Sequence, residues 1–294
     1  MCGRFGRCGR NTKKGEIQVS SDEKRADARA IRKEKARESK GGALKTIFYA
    51  VVIALVVRTF LFEPFNIPSG SMLPGLKVGD YLFVSKYSYG YSRYSFPFSP
   101  DLFSGRIPDG KPDRGDVVVF RLPSDTTIDY IKRVIGLPGD KIQVEGGRLF
   151  INGHLIKRVG PLKRSEVNGH AHAGYDASIG QECYGANGVP FAAKRYRQIL
   201  PSGRSFYIWE CSDTEPQSDN TRVYTVPAGH YFMMGDNRDN SVDSRFAKVG
   251  MVPAENLVGK AQFLFLSVNG TARIWEVWKW PSAIRWDRIF REVR

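Results

Sequence analysis

The apolar positions of this chain change their rhythm along its length. From Thr46 to Phe62 the sequence reads TIFYAVVIALVVRTFLF, with no polar face over Thr46–Val57 and one charge, Arg58, near the end. Adding Gly42–Lys45 gives about one bilayer crossing, which needs roughly 17–25 residues, and a long side chain such as Arg58 can snorkel to the interface. A single transmembrane helix over residues 43–62 is therefore predicted. Beyond it the apolar runs are short, rich in β-branched and aromatic residues, and bounded by glycine or proline, which predicts strands. These are Tyr81–Ser85, Asp116–Arg121, Tyr130–Gly136, Val223–Pro227, His230–Asp236 and Val258–Val268. Lys141–Lys157 reads as two successive hairpins, because Gly146-Gly147 and Asn152-Gly153 tolerate the positive φ of two-residue turns. Between Leu162 and Asn220 the pattern loosens, as in an insertion rich in loops.

Charge sets the direction of the span. Residues 1–45 hold fourteen Lys/Arg against six Asp/Glu, a large share of the overall +15. A basic excess before a span places the N-terminus in the cytoplasm and the rest of the chain outside. The polar head, residues 1–42, is expected to be disordered. A cleaved leader would need a shorter basic start, although Ser69 and Ser71 have the spacing of a cleavage site. The terminal stretch Trp275–Arg294 carries four tryptophans among Arg and Lys, which suits either a membrane interface or a packed amphipathic helix. With 41% hydrophobic and 12% aromatic residues, residues 63–294 can form a real core. Cys2 and Cys8 read as ordinary thiols, while Cys183 and Cys211 leave a disulfide open. His154, His170, His172 and His230 lack zinc-protease spacing, and no metal or organic cofactor is expected.

Three stretches carry chemistry. In IPSGSMLPGL, Ile67–Leu76, Gly70 lets the backbone turn between two prolines and leaves Ser69 and Ser71 available. It is not a Gly-x-Ser-x-Gly elbow. In DYIKRVIGLPGD, Asp129–Asp140, Lys132 lies within an apolar strand. Pointing inward, its amine would lose proton affinity and could act as a base; pointing outward, it would be a solvated lysine. In GDNRDNSVDSR, Gly235–Arg245, the polar residues are dense, but both calcium-loop registers fail, with Arg238 at a ligand position or Ser244 where glycine belongs.

Singly these stretches are weak. In this order, behind a membrane span, they resemble the bacterial type I signal peptidase family. That resemblance implies Ser71 as nucleophile, Lys132 as general base and Ser69 as side-chain donor of the oxyanion hole. It further implies Ser241 as the residue orienting the lysine amine, Asp243 and Arg245 as a structural ion pair, and Tyr130 as a residue lining the site. The implied fold is mainly β, an antiparallel-sheet catalytic core with an inserted second β subdomain. The implied activity is removal of leader peptides from exported preproteins with small residues before the cut. Expected partners are those preproteins and membrane lipid, with no nucleic acid, and the expected form is a monomer in the bacterial inner membrane. Gly75 departs from the threonine common in that family. A self-cleaving repressor-type protease, or an anchored β-domain that binds a partner, are the competing readings.

Overall fold

A computed structural model of the chain describes residues 42, 45–96, 99–101, 103–108, 110–162, 183–184, 190–191, 193–212, 218–271 and 276–294. The basic head, Cys2, Cys8, His170, His172, Trp275 and much of the expected insertion lie outside these residues. Residues 45–60 are helical, and the apolar side chains there are exposed, with Ile47, Phe48 and Ile53 each near 60%. Among the described residues no helix is both long and apolar enough to cross a membrane.

Among the described residues sixteen strands follow: β1 (Phe62–Asn66), β2 (Asp80–Ser85), β3 (Val117–Leu122), β4 (Asp125–Gly136), β5 (Lys141–Glu145), β6 (Arg148–Ile151), β7 (His154–Leu155), β8 (Lys157–Val159), β9 (Cys183–Tyr184), β10 (Pro190–Phe191), β11 (Lys194–Ile199), β12 (Ser205–Glu210), β13 (Tyr224–Thr225), β14 (His230–Met234), β15 (Val252–Pro253) and β16 (Leu257–Ser267). Seven form one sheet in the order β1-β2-β16-β3-β4-β14-β15, every pair antiparallel. Proline 64 is tolerated because β1 lies at its edge, where one side of the backbone has no ladder partner.

At β3 the sheet is covered on both faces. Val117 and Val119 enter one apolar cluster with Leu82, Val84 and Leu264; Val118, Phe120 and Leu122 enter another with Tyr89, Met233 and Leu257. Such burial explains why VVVFRL reads as a nearly continuous apolar run instead of an alternation. Each fully buried side chain of this size contributes about 1.5–3 kcal/mol.

β4 and β14 are neighbours in the sheet, yet the chain between them builds β5 to β13 elsewhere. The hairpins form as predicted, β5–β6 and β6–β7, with φ of 53° and 68° at Gly146 and Gly147, and 55° and 79° at Asn152 and Gly153. β13 completes that sheet, and β12-β11-β8 form another. A disulfide joins Cys183 to Cys211, Cα atoms 5.5 Å apart, resolving the pairing that spacing left open.

The C-terminal segment is not one amphipathic helix. It breaks into single turns at Val277–Lys279, Trp280–Ala283 and Trp286–Arg288. Its fixed points are polar: Arg288 reaches the buried Asp80 carboxylate and the Gly75 carbonyl. Trp278 and Trp286 remain exposed.

Candidate active site

The turn between β1 and β2 brings Ser71 to β4. Ser69 is extended and Gly70–Met72 close a short 3₁₀ turn, which buries Ser71 at 7% exposure. Two bonds from one residue hold this turn: the Asn237 side-chain amide donates to the Gly70 carbonyl (3.1 Å) and its backbone N–H to the Ser71 carbonyl (3.1 Å). Ser69 Oγ lies 3.4 Å from Ser71 Oγ.

Lys132 comes from the middle of β4, and at 3% exposure it faces inward. Its Nζ donates to Ser71 Oγ at 2.7 Å and to the Ile131 carbonyl at 3.0 Å, and lies 5.3 Å from the centre of the Tyr130 ring. Tyr130 and Lys132 share a face because side chains on a strand alternate. Burial lowers the amine from the ordinary lysine value to about 8, outweighing the opposing pull of Asp243 and Asp236, with the Arg245 charge assisting burial. Both acids are already engaged, so neither forms an ion pair with the lysine. A buried amine with this proton affinity is partly neutral near neutral pH, and the neutral form can accept the proton of a hydroxyl 2.7 Å away.

The loop Gly235–Arg245 follows β14 and supplies the surroundings. Arg245 binds Asp243 through Nε to Oδ1 and Nη2 to Oδ2, both 2.9 Å, and Nη2 also donates to the Arg238 carbonyl at 2.6 Å. Although burial alone would raise the Asp243 carboxyl, the charge and hydrogen bonds of Arg245 hold it below the usual range. Ser241 is brought to the site without a hydrogen bond to the lysine: its buried hydroxyl has no hydrogen-bond partner among the described residues. It packs against Gly235, where a Cβ would stand 2.2 Å from Ser241 Oγ and 2.6 Å from the Ser71 carbonyl.

Gly235, Asp236 and Asn237 are the positions that sequence reasoning left without a role. Asp236 accepts two bonds from the neighbouring strand residue Arg133, Nε to Oδ1 at 2.8 Å and Nη2 to Oδ2 at 2.6 Å, both side chains buried. Their signal was their place in the GDN start of the polar motif, but their partners are over 100 residues away for Asp236 and over 160 for Asn237. Among the described residues no group of three or more His, Cys, Asp or Glu side chains is placed to hold a metal ion.

A buried serine–lysine pair on an antiparallel sheet is chemistry that a hydrolase can use, and comparison with known proteins gives the class. The family described as signal peptidase, peptidase S26, matches residues 41–266. Signal peptidase I of Rickettsia typhi is 38% identical over 262 residues, 83% of this chain and 90% of that one. Signal peptidase I of Rickettsia canadensis is 39% identical over 266 residues, 85% and 92% respectively. The crystal structure of a signal peptidase I from Enterococcus faecalis, 25% identical, covers 51% of this chain and 96% of its own at a TM-score of 0.28. The chain belongs to the signal peptidase family, peptidase S26, and is a serine endopeptidase that removes signal peptides from preproteins.

Proposed function

We propose that Ser71 is the nucleophile of this peptidase and Lys132 its general base. The observation that carries the reading is the 2.7 Å approach of Lys132 Nζ to Ser71 Oγ in a site where burial lowers the amine to about 8. Neutral Lys132 takes the Ser71 proton as Oγ attacks the scissile carbonyl. The oxyanion is met by the Ser71 N–H, which heads a turn too short to give it an internal acceptor, and by the Ser69 hydroxyl. The lysine then protonates the leaving amine and, neutral again, activates the water that releases the acyl group. Asp243–Arg245 keeps a full ion pair beside the lysine without neutralising it, and Tyr130 borders the site. Ser241, packed against Gly235 beside this turn, is the residue that orients the amine in this reading. Substrates are preproteins with small residues before the cut.

The exposed apolar helix 45–60, within the apolar run 43–62, is the lipid anchor in this reading. The basic head lies in the cytoplasm and residues 63–294 lie outside the bacterial inner membrane, a single-pass monomer whose second β subdomain is the chain between β4 and β14. The Cys183–Cys211 disulfide supports that orientation, because such bonds persist in oxidising compartments. Purified full-length protein in detergent, mixed with a preprotein carrying an Ala-x-Ala site, should yield one product shortened after the second alanine, read by mass. Undiminished cleavage by a folded Lys132→Ala variant would refute the dyad.

A further inference from the structure

Consecutive residues of β4 point to opposite faces, and on the side away from Lys132 lies a cavity, about 390 Å³ in volume. Arg133, Asp236 and the Gly75–Leu76 end of the serine turn form part of its wall, but none of Ser69, Ser71, Lys132 or Ser241 does. The opposite wall is the β11–β12 ribbon. The register pairs Arg197 with Tyr207 and Ile199 with Ser205, which puts Arg195, Arg197, Ser205 and Tyr207 on one face. Arg291 closes the cavity from the C-terminal segment.

The charges in this cavity do not balance. Asp236 is committed to Arg133, which also donates to the Arg294 carboxyl oxygen at 2.9 Å, and Glu292 accepts from Arg294 Nε at 2.8 Å, so every acceptor of acidic character in the wall is already engaged. Arg195, Arg197 and Arg291 have no carboxylate partner among the described residues. Arg195 is the telling one, because it is 7% exposed and its Nε is buried without any hydrogen-bond acceptor. Its guanidinium lies over the Tyr207 ring, 4.1 Å from the centroid, an arrangement that steadies it but accepts none of its N–H donors. Burial pushes this guanidinium down, with Tyr207 opposing and the Arg291 charge adding to the shift. A buried guanidinium N–H left without an acceptor is costly. An anion in the cavity would remove that cost, and guanidinium forks match phosphate oxygens.

We propose that this cavity binds a phosphate-class anion, with Arg195 at its floor and Arg197 and Arg291 at its mouth. The phosphoryl oxygens accept from the three guanidiniums, and the Tyr207 and Ser205 hydroxyls supply further donors. Occupancy would tie the β11–β12 ribbon to the C-terminal segment beside the serine turn. The site is independent of the dyad, so its failure would leave the peptidase reading intact.

The test is calorimetric titration of the full chain in non-ionic detergent with inorganic pyrophosphate, against sodium chloride of matched ionic strength. Two further arms use soluble short-chain phosphatidic acid and phosphatidylcholine. Saturable binding of pyrophosphate alone would mark a free phosphate compound as the ligand. Saturable binding of phosphatidic acid, with none of phosphatidylcholine, would mark a lipid headgroup. Arg195→Gln and the surface change Arg291→Gln should each weaken binding about tenfold, the loss of one charged hydrogen bond. Arg291→Gln keeps the test valid if Arg195→Gln fails to fold. No saturable binding of either phosphate compound by the wild type, or unchanged affinity in folded Arg291→Gln, would overturn the proposal.

Discussion

Lys132 and Arg133 are adjacent cations on one strand, both buried to within 3% exposure, and they have opposite fates. Arg133 is gripped by both oxygens of Asp236. Lys132 faces a serine hydroxyl and a carbonyl, neither of which repays the cost of burying a charge, so its amine is driven toward the neutral form. Whether a buried cation is ion-paired or driven toward the neutral form is decided here by what the opposing loop presents to it. The same loop, Gly235–Arg245, presents carboxylates to Arg133 and Arg245 and withholds them from Lys132.

That contrast can be broken most directly by removing Lys132, the base in the proposed reading. Lys132→Met should lower kcat by at least about 10³-fold while the far-ultraviolet circular dichroism stays that of the wild type. The structural member should respond the other way. Asp236→Asn leaves Arg133 buried without its charge partner and should cost about 3–5 kcal/mol of stability, read as a lower denaturant midpoint. Between the two lies Gly235→Ala, whose new methyl would collide with Ser241 and the Ser71 carbonyl. Displacing Ser71, the nucleophile in the proposed reading, by part of an ångström should reduce kcat about 10²-fold with a smaller loss of stability. The gentlest probe is pH. Protonated Lys132 cannot accept a proton, so kcat/KM should rise about tenfold per unit with increasing pH and level off above about 8. A profile flat between pH 6 and 9 would show that the amine does not act as the base.

Much of the sheet was legible because its signals are local. Gly146-Gly147 and Asn152-Gly153 announce their hairpins, and the runs of β2, β3, β4, β14 and β16 are apolar enough to stand out. β11 was hidden for a physical reason. In KRYRQI the arginines give a polar run that reads as loop, whereas Tyr196 and Gln198 are buried on one face and Arg195 is buried on the other. β1 was masked by the apolar run before it and by Pro64. Within the site, Ser71 and Lys132 were reached through the motifs and the resemblance they support. The structure brings them together but leaves Ser241 off the amine. The work of Asn237 and Asp236 was invisible because a polar loop does not disclose which distant turn it holds.

The position of β16 carries a consequence in time. This strand, Leu257–Ser267, is threaded between β2 and β3. A ribosome releases the serine turn and the lysine strand long before it releases β16, so the seven-stranded sheet cannot close while the chain is unfinished. Sheets that wait on such distant pairings form late and slowly. Until Leu257–Ser267 has been made, the sheet that carries Lys132 lacks the strand that joins β2 to β3.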